Sequence, residues 1–330
     1  NSAYGALGNQ WFRYYDERNA EAVSVAGQLS IRWAENTVND YLNKVLETDG
    51  VDYVIASDTD SLYVALDPLV QKVGLSDSDT DKVIKFMDTV CEGKLQNVID
   101  KCYNELAKYV NAFQQKMVMT REVLADVGIW TAKKHYILNV HNSEGVQYEE
   151  PKLKIMGIEA IKSSTPETVR NALKKAFKII MNGTEDDVID FIDTYRKQFK
   201  SLSAEDVSFP RSVKGLAKYS DPASIYRKST PLHVKGSLIY NMMLKKNKLT
   251  KKYPIIQEGE KIKYTYLTEP NPSGDSAIAM LTTLPKEFKL ENYIDYDRQF
   301  EKSFLDPMKG LLETIGWDYE RKSTIMNFFT

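Results

Sequence analysis

At 330 residues, with 42% hydrophobic and 27% charged side chains, the chain is long enough for two domains with cores of their own and has the balance of a globular protein. No apolar run approaches the ~20 residues that span a bilayer, and two cysteines exclude a disulfide scaffold, so no membrane partner and a reducing, cytoplasmic setting are expected. The net charge of −2 hides an asymmetry: 14 Lys/Arg against 23 Asp/Glu over residues 1–150, then 30 against 23 over 151–330, with 13 basic and 5 acidic residues in 201–263. Such a division suits a metal site beside a polyanion-binding surface, and it suits a plain solvated face as well.

Gly5 and Gly8 open the chain with a helix end or a close backbone approach. Ala20, Val23, Leu29, Trp33, Val38, Tyr41, Leu42 and Val45 recur at helical spacing and predict one long helix over 16–48. Val51–Leu66 then places β-branched and aromatic runs on both sides of Asp58-Thr59-Asp60-Ser61, a hairpin with two carboxylates at its tip. A second long helix is expected over 79–113, with Val83, Phe86, Met87, Val90, Leu95, Val98, Cys102, Leu106 and Val110 buried. Cys91 and Cys102 lie on it and pack rather than bridge. Strands follow over 116–125 and 134–141, and Glu149-Glu150-Pro151 marks a break. Beyond it come a helix capped by Thr165 with Pro166 first and Asn182-Gly183 last, another capped by Thr184, a loop-rich basic stretch over 201–263 with short strands near 253–266, and a last helix over 293–315. The fold class is α+β.

Asp58 and Asp60 are two apart, so on an extended backbone their side chains share a face, where hard oxygens converge as Mg2+ requires. An ordinary acidic turn explains the tripeptide equally well. Asp79-Thr80-Asp81 repeats it, but ahead of an amphipathic run it reads as a helix start, and the glycine and closing Glu of a Ca2+ loop are missing.

Three ordered motifs narrow the field: Asn1-Ser-Ala-Tyr4-Gly5 before a long helix, Ser57-Asp-Thr-Asp-Ser61 in a hairpin, and Thr131-Ala-Lys133-Lys134-His135-Tyr136 on a later strand. Their order resembles the catalytic half of family B DNA polymerases, in particular the replicative T-even-type bacteriophage branch. That likeness extends through Trp11-Phe-Arg-Tyr-Tyr15 and Pro151-Lys-Leu-Lys-Ile-Met-Gly157. The resemblance implies the end of a fingers helix over 1–15, a palm over 16–150 (an antiparallel sheet backed by long helices), a mainly helical thumb over 151–320, and a clamp-binding tail over 321–330. It implies DNA-directed DNA polymerase activity: nucleotidyl transfer to a primer 3′-hydroxyl with two Mg2+ ions, Mn2+ substituting. Asp60 resembles the palm aspartate that binds both ions and Asp58 its neighbour, supported by Thr59, Ser61 and Glu122, the last of which also reads as a surface residue. Asn1, Tyr4 and Gly5 resemble the nucleotide-binding turn.

By the same resemblance Lys133, Lys134 and Tyr136 track the primer, while Lys214, Lys218, Tyr219 and Lys235, with Arg227, Lys228 and His233 nearby, face the product duplex. Ile325, Met326, Phe328 and Phe329 resemble the peptide that binds a sliding clamp. The implied partners are primer-template DNA, a dNTP, the clamp, and an N-terminal part with the second metal-binding aspartate and the exonuclease, as in a split polymerase. Without that part the chain is expected to be inactive. Ala56-Ser57 stand where the family has Tyr-Gly, and His135 where it has arginine. A non-catalytic nucleic-acid-binding or clamp-adaptor subunit is the alternative, and it would tolerate Asp60→Asn.

Overall fold

The computed structural model describes residues 2–158, 160 and 162–321. Its elements run α1 Ser2–Leu7, α2 Glu17–Leu46, β1 Val54–Asp58, β2 Ser61–Val64, α3 Asp67–Lys72, α4 Thr80–Val90, α5 Gln96–Tyr109, β3 Val123–Ala132, β4 His135–Ser143 and β5 Val146–Met156. There follow α6 Glu167–Asn182, α7 Glu185–Phe199, α8 Ala204–Val207, β6 Phe209–Ser212, α9 Leu216–Tyr219, β7 Ser220–Asp221, β8 Ile225–Tyr226, α10 Leu232–Lys246, β9 Lys261–Tyr266, β10 Ala277–Met280, α11 Tyr296–Phe300 and α12 Asp306–Ile315. The architecture is mixed, helices with small antiparallel sheets. Two compact units divide the chain, one holding residues up to Val127 and Asn139–Lys152, the other Gly128–Leu138 and the residues from Leu153 on.

In the first unit, the Asp16 carboxylate caps α2 by accepting from the Arg18 amide, as a short acidic side chain does at a helix start. From Ser30 onward α2 buries Ala34, Val38 and Leu42, one residue per turn, against Tyr53, Val54 and the α5 side chains Ile99, Cys102, Tyr103 and Leu106. The second long helix forms as expected but carries a π turn, Cys91–Leu95, between α4 and α5. That turn spends one extra residue, so the buried set after it is Ile99, Cys102, Tyr103 and Leu106, while Val98 is half-buried and Val110 exposed.

Three expectations change. The strand expected over 116–125 begins only at Val123, and β5 runs through Glu149-Glu150-Pro151, where a break was expected. Sheet order β3-β4-β5 leaves β5 at an edge, the position in which a sheet tolerates proline. Within 201–263 the structure holds a 15-residue helix, α10, whose apolar positions Val234, Ile239, Tyr240, Met243 and Leu244 are hidden in a basic composition.

The second unit has two cores. One joins α6, α7, α11 and α12 through Leu173, Phe177, Ile192, Phe199, Phe300 and Met308. Pro166 rather than Thr165 occupies the N-cap of α6, and Thr184 closes a reciprocal box with Asp187 at α7. The other core packs α10 on sheet β10-β9-β6, with Gly236 against the backbone of Ile278 and Ala279.

Candidate functional site

The hairpin β1-β2 is held to α2 by helix asparagines. Asn39 accepts from the Tyr53 amide (2.8 Å) and donates to Asp52 (2.8 Å), while Asn43 accepts from the Val51 amide (3.0 Å) and donates to its carbonyl (2.7 Å). Buried backbone polar groups need such partners, and here they fix where β1 starts. Register then pairs Asp58 with Ser61 across a two-residue turn, Thr59-Asp60. Thr59 sits at φ 57°, a conformation that a β-branched residue rarely takes, and the Asp60 amide donates to the Asp58 carbonyl at 2.7 Å. The Ser61 hydroxyl donates to that same carbonyl (3.1 Å), and the Thr59 hydroxyl donates to Asp58 Oδ1 (3.1 Å). Extended alternation therefore stops at Asp58. The same-face argument for the two carboxylates gives way to a tight turn that sets them by backbone hydrogen bonds.

Asp60 is exposed at the tip, and Tyr103 of α5 is buried within reach of its charge. Burial, then the neighbouring Cys102 and Asp60, hold the Tyr103 hydroxyl above the ordinary phenol range. Asn39, Asn43 and Tyr103 are the site residues that sequence reading missed, although asparagines spaced i, i+4 inside a long helix were a readable signal. Glu122 precedes β3, exposed, with its carbonyl accepting from the Glu144 amide (2.8 Å). Among the described residues no group of three or more His, Cys, Asp or Glu side chains is placed to hold a metal ion, so Glu122 does not complete such a set with Asp58 and Asp60.

Tyr4 and Gly5 lie on α1. The Tyr4 hydroxyl is 3.1 Å from Ser24 Oγ of α2, and the position a Gly5 side chain would take is open. Asn1 and the tail residues Ile325, Met326, Phe328 and Phe329 lie outside the described residues.

Lys133 and Lys134 form the two-residue turn between β3 and β4 rather than a strand, both exposed, with Lys134 at φ 62°. The next residue, His135, has Nδ1 at 2.9 Å from the Lys133 carbonyl. Tyr136 is 5% exposed and its ring lies 6.0 Å from that of Trp130, so it supports the turn from inside. Gly157, at φ 73°, packs so closely that a Cβ there would lie 2.4 Å from the Lys134 carbonyl.

Of the basic residues in 201–263, Lys214 is exposed, and so is Lys218 on α9, with its ammonium 5.2 Å from the Tyr219 ring centre. Glu258 accepts from the Gly215 and Leu216 amides and so holds that helix start. Lys235 is spent inside the unit. It pairs with buried Asp275 at 2.5 Å and lies over the Tyr226 ring, whose hydroxyl donates to the same carboxylate.

Residues 47–197, a span that contains both the acidic turn and the lysine turn, match the family described as divergent family B DNA polymerase. Over that span the chain resembles the family B DNA polymerases. It is 39% identical over 343 aligned residues to a DNA-directed DNA polymerase of Escherichia phage RB69, and 37% identical over 338 to one of Enterobacteria phage T4. These alignments cover 100% and 98% of this chain but 37% of each phage protein. No helix among the described residues is long and apolar enough to cross a membrane.

Proposed function

We propose that the chain is the palm and thumb part, with the end of the fingers helix, of a DNA-directed DNA polymerase that transfers nucleotides to a primer 3′-hydroxyl. The observation that carries this reading is the Asp58-Thr59-Asp60 turn, pinned to α2 and lying within a chain similar over its whole length to two phage polymerases. The carboxylates of Asp58 and Asp60 are the hard oxygen donors that Mg2+ or Mn2+ takes. When bound, such ions neutralise phosphate charge and ease deprotonation of the primer hydroxyl. Two carboxylates fall short of a two-ion site, so a further carboxylate from the remainder of the polymerase completes it.

This chain's own residues do the positioning. The Thr59 hydroxyl orients one Asp58 oxygen, and the Ser61 hydroxyl locks the turn. Tyr4, Gly5 and Asn1 meet the dNTP and the nascent pair. Lys133 and Lys134 reach primer phosphates with no reading of base edges, which a copying enzyme requires. Lys214, Lys218 and Tyr219 hold the product duplex, and Lys235 braces the thumb from within. The tail Ile325, Met326, Phe328 and Phe329 binds a sliding clamp.

Primer extension tests the reading, with the chain assayed alone and together with the cognate remainder of the polymerase. Extension is expected only from the mixture, and Asp60→Asn is expected to abolish it. A mixture that extends equally well with Asp60→Asn refutes the site, and full activity of the chain alone refutes the need for a partner.

A further inference from the structure

Between Asp221 and Glu258 the chain carries eight Lys and Arg and no acidic residue, although Asp and Glu fill 46 of its 330 positions. Five of the eight crowd the end of α10 and the turn after it: Lys245, Lys246, Lys248, Lys251 and Lys252, all exposed. Cations in the last turn of a helix answer its dipole, which accounts for Lys245 and Lys246. The three beyond the helix end have no such reason.

The fold of the turn collects charge. Its backbone closes through the Leu249 amide on the Leu244 carbonyl (2.8 Å) and the Tyr253 amide on the Leu249 carbonyl (3.0 Å). Leu249 and Tyr253 pack against the core of α10 and its sheet, so the lysines are what the turn leaves outside. Glu287 accepts from the Lys252 ammonium (2.6 Å) and the Tyr253 hydroxyl (3.0 Å), drawing the short helix Lys286–Phe288 against the turn. Exposed Lys286 and Lys289 thereby join the cluster. Of these seven lysines, Lys252 alone has an ion pair among the described residues. Like charges gathered without acids repel one another, and a polyanion relieves that cost.

We propose that this lysine cluster is a second contact surface for the phosphates of the product duplex, set apart from the grip of Lys214, Lys218 and Tyr219. The inference rests on the polymerase reading above. That grip adjoins the opposite end of α10, where the Tyr219 carbonyl accepts from the Arg227 amide (2.9 Å) and Lys235 lies over the Tyr226 ring. From Lys235 to Lys246 the helix rises about 16 Å, the length of about five base pairs, so one duplex has the reach to meet both surfaces. The chemistry of the cluster chooses this occupant. Lysine offers phosphate a point charge and reads no base edge. No large apolar side chain is exposed over 227–252 or 286–289, which leaves no anchor for a protein partner or a lipid surface. The Tyr253 ring lies under the Lys252 ammonium (5.1 Å) and its hydroxyl is held by Glu287, so no free aromatic face awaits the bases of a single strand.

The test is fluorescence anisotropy of the full chain on a labelled duplex of about 30 base pairs across a salt series, with primer extension by the chain and the cognate remainder run beside it. One variant combines Lys246→Gln, Lys248→Gln and Lys251→Gln, and a second combines Lys286→Gln with Lys289→Gln. The control is Lys174→Gln with Lys175→Gln and Lys197→Gln, exposed lysines of α6 and α7, where six acidic residues balance six basic ones over 167–197. All the substituted side chains are exposed, so melting temperatures should match wild type. In the triple variant, affinity at low salt should fall about tenfold and the slope of log affinity against log salt should shrink by about 2 to 3, roughly one per lost phosphate contact. The second variant should lose less in the same direction, and the control should stay within twofold of wild type with its slope unchanged. Slopes in both cluster variants equal to the control's overturn the proposal, even where the wild-type mixture extends primers. Slopes that fall as expected, with no extension by the wild-type mixture, keep the surface and refute the polymerase reading. A wild-type chain that fails to bind the duplex overturns the proposal, as does one that binds a single strand or poly-glutamate more tightly than the duplex.

Discussion

Gly157→Ala should disturb the lysine turn without touching the acidic one. The closest contact of the new Cβ, 2.4 Å to the Lys134 carbonyl, falls 1 Å short of the 3.4 Å at which ordinary contact begins, and the His135 ring stands at 2.8 Å. Either Gly157 or the Lys133-Lys134 turn must retreat by about that distance. The left-handed backbone costs ~1–2 kcal/mol for any side chain and the overpacking a further ~1–3 kcal/mol, roughly 2–5 kcal/mol together. Gly259→Ala isolates the first of these, because Gly259 also has a positive φ (84°) but nothing within 4 Å. Urea unfolding of both variants, with fluorescence anisotropy on a primer-template duplex, reads the outcome. Gly157→Ala should lose clearly more stability than Gly259→Ala and bind DNA more weakly, because a ~1 Å misplacement of a positioning group is costly. Equal stability losses in the two variants, with DNA affinity unchanged, would refute the argued contact and the turn's role together.

Three further outcomes are expected. Gly236→Ala places a Cβ 2.8 Å from the Ala279 amide nitrogen, so overpacking of ~1–3 kcal/mol should outweigh the ~1 kcal/mol gained in helix propensity, and urea midpoints should fall. Glu287 is held down to about 2 by the Lys252 ammonium, its own backbone amide and the Tyr253 hydroxyl. A depressed carboxylate contributes stability that is whole above the ordinary 4.5 and lost as pH falls towards 2, so the melting difference between wild type and Lys252→Met should shrink over that window. Burial pushes the Cys91 thiol up to about 11 and raises Cys102 as well, so neither should react with a disulfide reagent at pH 8 until the chain is unfolded.

Much of the fold could be read from the sequence wherever one periodicity held. The long helix α2 needed only its apolar spacing and the acidic start at Asp16, and the Thr184 cap announced α7. Reading failed where a local rule was overruled by context. The π turn at Cys91–Leu95 changed the phase of the buried stripe, so Val98 and Val110 were expected where Ile99 and Tyr103 are buried. Lysines flanking α10 disguised its apolar face, and Pro151 suggested a boundary inside a strand. Of the candidate site, the acidic turn was legible because β-branched and aromatic runs flank it on both sides. Of its supports, Asn39 and Asn43 left a signal in their spacing on the helix just before the hairpin, whereas Tyr103 lies far along the chain on α5 and left none. Composition marked Lys235 as one more surface cation, and nothing short of three dimensions pairs it with Asp275.

The proline in β5 has a consequence for how the protein keeps company with itself. An outer strand displays a ladder of amides and carbonyls that a stray strand from another molecule can zip onto, and long open ladders of this kind seed aggregates. Pro151 removes one rung near the middle of Val146–Met156, and Glu149, Glu150, Lys152 and Lys154 crowd charge around the gap. A border broken by proline and lined with charge is a poor template for a stray strand.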